Sequence, residues 1–368
     1  MPSFHILREC PVADSFRVQQ VRGMFELEMK SVRHEWKGAI PTDERPWSIG
    51  CIVGASGSGK TTIAREIFPE MKFHEGFDWP KDRPVIEGFP EEIPAKDICA
   101  AFNSVGFSSP PSWLKPFHVL SNGQKFRAEL ARAITTCQQG VIFDEFTSVV
   151  DRTVAQIGSA AVAKAIRKGK RPPFVAVSCH YDILDWLDPD WVFDVSAMRF
   201  EWRERRRFPA IELTIHKGDR FAWPTFRDHH YLSHDFHKSA QVWIGCIGGR
   251  PVALGAILHF PHPSVKNFKK EHRVVVLPDF QGVGIGNRLS EWMGETYLAQ
   301  GQRYISISSN PAMIHFRSRS PKWILKHFGR VNKNDLKNLG NGKGMATSFR
   351  RITASFEYVG LRVNAKKE

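Results

Sequence analysis

The sequence predicts two domains in series: an α/β domain on a parallel sheet, then an α+β domain whose mixed sheet is mostly antiparallel. Three observations carry this. An apolar run (Ile49, Cys51, Ile52, Val53) meets the glycine loop Gly54-Ala55-Ser56-Gly57-Ser58-Gly59-Lys60-Thr61 and then a helical stretch, residues 62–67. A second strand–glycine loop–helix pattern spans residues 274–300 and follows a hairpin pattern instead of opening a domain. The 368 residues leave room for two ordinary domains, each with its own core. The boundaries read as 1–200 and 209–368, with the charged run 201–208 as a linker.

The first loop has a chemical meaning of its own. A buried parallel strand that turns through glycines into a helix aims several backbone N–H groups at one point, where the helix dipole adds positive charge. Gly54, Ser56, Gly57 and Gly59 shape that cradle, Lys60 can reach β- and γ-phosphates, and Thr61, followed by Thr62, can ligate Mg²⁺. The bland alternative is a glycine-rich turn before a helix.

Four later stretches fit a nucleotide site better. Leu120-Ser121-Asn122-Gly123-Gln124 opens a helical run, and Val141-Ile142-Phe143-Asp144-Glu145 is an apolar strand ending in two carboxylates. Ser148-Val149-Val150-Asp151 follows, and His180 closes the strand Phe174-Val175-Ala176-Val177-Ser178-Cys179. In this order they resemble the signature, Walker B, D-loop and switch histidine of ABC-type ATPases, over residues 12–198. The resemblance implies ATP and Mg²⁺ as ligands and a head-to-tail homodimer, in which Ser121 and the Gly123 N–H face nucleotide bound by the partner. It also implies that Asp144 organises Mg²⁺, Glu145 polarises the attacking water and His180 contacts the γ-phosphate. An aromatic residue of such domains stacks on adenine, and Phe16, Phe25 and Trp36 all qualify by type. No glutamine lies between Lys60 and Gln124, so residues 83–91 are expected to stand for the Q-loop, with Glu91 or Glu92 as substitute. β-prone segments at residues 16–18 and 24–27 are expected to form the small antiparallel sheet ahead of the loop. Residues 190–195 read as the domain's last strand.

In the second half, residues 211–215 read as an edge strand, 221–233 as a helix, 242–247 and 251–258 as a hairpin, and 304–308 as a further strand. Gln281-Gly282-Val283-Gly284-Ile285-Gly286-Asn287 resembles motif A of the GNAT superfamily of acyltransferases, which cradles the pyrophosphate of coenzyme A. A dinucleotide site is its rival, but that site expects the loop on the first βα unit of a Rossmann domain. The resemblance implies acetyl-CoA or another acyl-CoA as cofactor. Where many GNAT enzymes carry a tyrosine acid, this chain has Phe316 or Arg317. His230 and Tyr231, in Asp228-His229-His230-Tyr231-Leu232-Ser233, are the candidate catalytic groups; each histidine could equally be a capping or surface residue. The stretch His230–Ser233 also resembles a segment of Mom-type phage DNA-modification enzymes, and the two-domain pairing resembles ABC-type ATPases fused to an acetyltransferase domain.

Charge separates the halves. Residues 1–200 carry a net −1 and residues 201–368 a net +15, of the chain's +14. A domain that basic suits a polyanion such as DNA or RNA; a merely solubilising surface is the alternative. Residues 316–330 interleave basic and aromatic side chains, so Arg317, Arg319 and Lys322 could contact phosphates and Trp323 a base. Alternatively Trp323 and Phe328 belong to the core. The six cysteines are scattered without metal-ligand spacing, which points to thiols in a reducing compartment such as the cytoplasm. No apolar run approaches the ~20 residues needed to span a bilayer, and residues 1–8 lack the apolar core of a signal peptide. The expectation is an ATP-hydrolysing N-acyltransferase acting on nucleic acid. Its rivals are an acyltransferase for a protein or small amine, and a nucleic-acid-binding ATPase with a non-catalytic second domain.

Overall fold

The computed structural model describes residues 2–10, 13–27, 31–169, 171–204, 209–230, 234–261, 267–329 and 352–361. The chain divides into two compact units. The first comprises Met1–Lys81, Glu87–Val105 and Ser121–Pro209, and the second comprises Asp82–Ile86, Gly106–Leu120 and Ala210–Glu368. Two short stretches from within residues 1–200 therefore group with the second unit.

The first unit opens with an antiparallel pair, β1 (Ser3–Cys10) and β2 (Val32–Ala39), linked through helix α1 (Phe16–Phe25). Strands were expected where α1 lies. Ser15 instead caps a helix, its Oγ accepting from the Val18 N–H at 3.4 Å, and α1 buries none of its residues. The small sheet exists, but the residues flanking α1 build it.

The main sheet has six strands: β3 (Ile49–Val53), β4 (Lys72–His74), β5 (Val141–Phe143), β6 (Phe174–Ser178), β7 (Trp191–Asp194) and β8 (Arg199–Trp202). They lie in the order β4-β5-β6-β3-β7-β8, all parallel except β8. β3 and β6 are buried at every position, as central strands covered on both faces must be. Trp191 fills the space beside β3 so closely that a Cβ on Gly50 would stand 2.0 Å from its Cζ2. The strand β8 follows β7, so β7 is not the last, and Glu201 and Trp202 are strand residues outside any linker. Around the sheet run α2 (Lys60–Ile67), α3 (Ala95–Ser104), α5 (Asn122–Thr136), α6 (Arg152–Gly169) and α7 (Leu184–Leu187); the short α4 (Pro110–Trp113) belongs to the second unit.

The second unit holds a seven-stranded sheet in the order β14-β15-β13-β12-β11-β10-β9. Its strands are β9 (Thr214–Gly218), β10 (Gln241–Ile247), β11 (Arg250–His259), β12 (Phe268–Val276), β13 (Arg303–Ser308), β14 (Trp323–Gly329) and β15 (Thr353–Tyr358). Helices α8 (Trp223–Arg227), α9 (Ile285–Ala299) and α10 (Pro311–Arg319) complete it. The helix expected at 221–233 shrinks to a 3-10 turn and α8; residues 231–233 lie outside the described residues. Every neighbouring pair is antiparallel except β12 and β13. Those two pair in parallel only at Phe268–Arg303, Lys269–Tyr304 and Lys270–Ile305, and part beyond that point.

A buried ion pair sits where they part. Glu271, the next residue of β12, accepts from Tyr304 at 2.8 Å, from Ser306 at 2.5 Å and from Ser290. Arg317 of α10 lies 3.3 Å from both Glu271 oxygens, donates to Ser290 at 2.8 Å and to Ser306, and stacks 4.4 Å over the Trp323 ring. Arg317 is 1% exposed and Trp323 is 6% exposed. The phosphate-contact role expected of Arg317 is therefore overturned, because it neutralises a buried carboxylate; of the two readings of Trp323 the core one holds, whereas Phe328, also offered as core, is exposed. Lys322 pairs with Glu291 at 3.7 Å, and Arg319 alone of that set remains exposed among these basic residues.

Removing one partner of such a pair leaves a bare buried charge. Arg317→Ala should cost about 3–5 kcal/mol in denaturant unfolding, and joint replacement of Arg317 by Met and Glu271 by Leu should recover most of it. Burial raises the Glu271 pKa, but Arg317 and the three hydroxyls outweigh it and hold the group below the ordinary value. The stabilisation is therefore complete above the unfolded value of about 4.3 and lost as pH falls further. An unfolding midpoint of the Arg317→Ala chain equal to that of the parent would contradict this.

Candidate functional sites: two glycine loops

Both loops end in the same backbone solution. Gly59 caps α2 with φ 96° and ψ 10°, and Gly284 caps α9 with φ 98° and ψ 8°. Neither helix has a side-chain cap, so the first N–H groups of each are left for something else. Left-handed dihedrals favour glycine at both positions. At Gly59 a Cβ would also stand 2.6 Å from the Trp36 ring, whereas at Gly57 and Gly284 it would meet only open space. That space fits a phosphate group lying over each loop.

The parallel sheet brings the first site together. β5, β6 and β3 are neighbours, so their carboxyl ends present Asp144 and Glu145, His180 and the loop on one edge. Gly54 is buried while Ser56 and Gly57 are exposed on the crown of the loop. Lys60 is 8% exposed, and its Nζ donates to the Ala55 carbonyl at 2.7 Å, inside the loop. Thr61 Oγ1 donates to both Asp144 oxygens, at 3.0 and 3.2 Å, and Thr62 lies half-buried one residue on. A hydroxyl facing a carboxylate across this short gap is a donor set that fits Mg²⁺. Burial raises the Asp144 pKa, and the charges of Glu145 and Glu75 add to it.

The backbone past Asp144 is strained. Glu145 has φ 48° and Thr147 φ 73°, the second a rare conformation for a β-branched residue. Phe146 between them is fully buried; its N–H donates to Val177 at 2.8 Å, and its carbonyl accepts from Ser178 at 2.9 Å. The Glu145 side chain accepts from Ser148 Oγ at 2.5 Å. His180 is half-buried, its N–H on Ser178 Oγ at 3.1 Å. Ser121 caps α5 in a reciprocal pair with Gln124, at 3.3 and 3.2 Å, and Gly123 is buried in the first turn.

Of the three aromatic candidates, Trp36 stands at the loop. Its Nε1 donates to the Ser58 carbonyl at 2.8 Å and its ring stacks on His34, while Phe16 and Phe25 are exposed on α1. Glu91 and Glu92 are exposed and not brought beside Asp144; the carboxylate that is brought there is Glu75, ion-paired to Arg65. Glu75 follows β4, the strand beside β5, and only strand order could have revealed it.

At the second loop, Gln281 Nε2 donates to the Val276 carbonyl at 2.8 Å, Gly282 has φ 91°, and Val283, Gly286 and Asn287 are half-buried. The Oδ1 of Asn287 is buried without a hydrogen-bond partner, an acceptor left open at the start of α9. His230 is 7% exposed with its ring 5.9 Å from Trp223, and Tyr231 lies outside the described residues. Half-buried His229 has its pKa lowered, by burial first.

His272 went unnoticed in the sequence. β11 pairs with Arg273 and with Glu271 but skips His272, a bulge. The extra residue sends Glu271 toward α9 and turns His272 to the face holding Phe236, whose ring lies 5.3 Å away. His272 Nε2 accepts from the His237 N–H at 3.2 Å. Burial first, then the neighbouring Arg273, His237 and Lys270, push its pKa down to about 4.

A family model described as the acetyltransferase (GNAT) family matches residues 195–319. The zinc import ATP-binding protein ZnuC of Pseudomonas putida is 27% identical over 131 residues, 31% of this chain and 51% of that protein. The chain thus spans about half the length of the curated relative it matches. Among solved structures, an IAA acetyltransferase from Bacillus cereus is similar at 13% identity and TM-score 0.31, over 40% of this chain and 99% of the other. The ribosomal-protein-S18-alanine N-acetyltransferase of Escherichia coli is similar at 13% and 0.30, over 43% and 100%. The bacterial ABC transporter cassette MJ0796, solved as a dimer, is similar at 14% and 0.36, over 46% and 89%. The second half thus carries a GNAT-type domain, and the first half is similar to an ABC ATPase. Among the described residues no helix is long and apolar enough to cross a membrane.

The His272 environment is open to measurement. Its ring should titrate near 4 by NMR, below the ordinary ~6.5 of histidine. The unfolded chain then binds more protons as pH drops below ~6.5, so His272 lowers stability progressively from there to about 4. A ring titrating above 6 would mean that burial and the neighbouring cations do not act on it as described here.

Proposed function

We propose that the chain binds and hydrolyses ATP through its first loop and uses acyl-CoA at its second to acylate an amine of a nucleic acid. The observation that carries this is the pair of uncapped helix starts, each behind a glycine with φ near 97°, one of them backed by Thr61 and Asp144. In this reading Lys60 leaves the Ala55 carbonyl to meet phosphate, and Thr61 and Asp144 hold Mg²⁺. Glu145, held in its strained turn, orients the attacking water, with His180 beside it. Ser121 and Gly123 complete the site of a second copy, so hydrolysis needs a head-to-tail dimer. Bound Mg²⁺ would offset phosphate charge, and bound acyl-CoA would supply the thioester that the amine attacks. Gln281, Gly282, Val283, Gly284, Gly286 and Asn287 cradle the pyrophosphate.

Electrostatics favours the nucleic-acid acceptor. Lys269, Lys270 and Arg273 crowd β12 where it parts from β13, and the one carboxylate among them, Glu271, is neutralised by Arg317. A protonated alkylamine is repelled by such a strand. The exocyclic amine of a nucleobase is uncharged at neutral pH, and its phosphates are attracted. The short likeness to Mom-type enzymes agrees with a DNA base as acceptor. His230 and Tyr231 stay the proposed proton-handling groups, His230 from a buried position beside Trp223.

Lys60→Ala should abolish ATP binding in calorimetry and leave acetyl-CoA binding intact; joint loss would show that one loop has been misassigned. Glu145→Gln should accumulate a dimer on adding Mg·ATP, read by size exclusion with light scattering, and Ser121→Arg should prevent it. ATP turnover by a strict monomer would sink the dimer requirement. For the acceptor, six to ten phosphate contacts would weaken DNA or RNA binding roughly 10³-fold or more between ~50 and ~200 mM salt. Replacing exposed Arg288 and Arg319 by Gln should flatten the slope by about 0.9 per lost contact. Salt-independent binding, or none, would transfer the reading to a protein or small-amine acceptor.

A further inference from the structure

Gln281, which opens the second loop, holds two backbone groups. Besides donating to Val276, its Oε1 accepts from the Ser108 N–H at 2.8 Å. Ser108 lies in Gly106–Leu120, a stretch that groups with the second unit. The stretch is well anchored there. Lys115 accepts from the Val85 N–H at 2.8 Å, and Trp113 Nε1 donates to the Phe107 carbonyl at 2.8 Å. Val85 and Phe107 are 1% exposed and Trp113 is 8% exposed.

Both ends of the stretch lead to one helix of the first unit, α5. Upstream, the carbonyl of fully buried Val105, at the end of α3, accepts from Arg127 of α5 at 2.9 Å. Downstream, Leu120 is followed directly by Ser121, the N-cap of α5. This fifteen-residue stretch thus starts directly after a residue bonded to α5, ends directly before the N-cap of α5, and is held at Ser108 by the residue that opens the second loop.

We propose that Gly106–Leu120 is a mechanical link through which ATP-dependent displacement of α5 changes the affinity of the second loop for acyl-CoA. This rests on the ligands assigned above. Thermodynamic reciprocity requires acyl-CoA to change ATP affinity by the same factor.

The test uses the full-length Glu145→Gln chain, which should hold ATP unhydrolysed, titrated with acetyl-CoA in calorimetry with and without saturating Mg·ATP. The acetyl-CoA Kd should change by about fivefold or more. Adding Ser108→Pro, which deletes the N–H donor, should bring the ratio to about one while both ligands still bind; Ser108→Ala, which keeps it, should retain the ratio. If the proline variant does not fold, the unsubstituted Ser108 amide decides, since its hydrogen-exchange rate should change on adding Mg·ATP. Equal Kd values in the Glu145→Gln chain, an undiminished ratio with Ser108→Pro, or unaltered Ser108 exchange would each overturn the link. Failure of ATP or acetyl-CoA to bind at all is a distinct result: it removes the proposed function itself.

Discussion

The second unit depends on one charge being buried in company. Where β12 and β13 part, the sheet loses its ladder, and an edge inside a fold is costly unless something else fixes both strands. Glu271 does this, accepting from β13 through Tyr304 and Ser306 and from α9 through Ser290, while Arg317 of α10 balances its charge. Four elements thus converge on one carboxylate at the vertex of the opening. The ion pair gains little net energy over an apolar filling, but it specifies where the strands diverge. The bulge at His272 follows directly, reorienting the strand just above that vertex.

The first unit solves a related problem differently. Its loop also needs an uncapped helix start, but it must manage concentrated negative charge as well. Asp144, Glu145 and Glu75 gather on the same edge, with Arg65 and Lys60 the nearby cations. The backbone turns Glu145 and Thr147 into left-handed conformations while Phe146 and Ser178 hold the turn from beneath. The second loop has no acidic residue in the first turn of its helix, and the first N–H groups of that helix have no side-chain cap.

Much of this was readable in the sequence because it depends on local pattern. Strand, glycine loop and helix are contiguous at residues 49–67 and 274–299, and the Ser121 capping box lies within four residues. What sequence could not supply depends on non-local pairing. Glu75 acquires its meaning only because β4 lies beside β5, and Arg317 reads as a surface cation until Glu271, 46 residues earlier, is placed against it. His272 needs a bulge that no alternation pattern announces. At Phe16, β-propensity lost to a single serine cap, a local signal that was visible and outweighed by aromatic content.

The discontinuity of the second unit bears on how the chain is made. Val85, Phe107 and Trp113 emerge from the ribosome more than ninety residues ahead of Ala210, where the bulk of their unit begins. Until that part is synthesised, those apolar side chains lack the unit with which they group and present surface that chaperones recognise. It is these two stretches, and not the unit around them in sequence, that must wait for residues beyond 209. A cut at residue 209 would keep every segment of the first unit in one product, but gene fission at that point would deprive the second unit of Asp82–Ile86 and Gly106–Leu120.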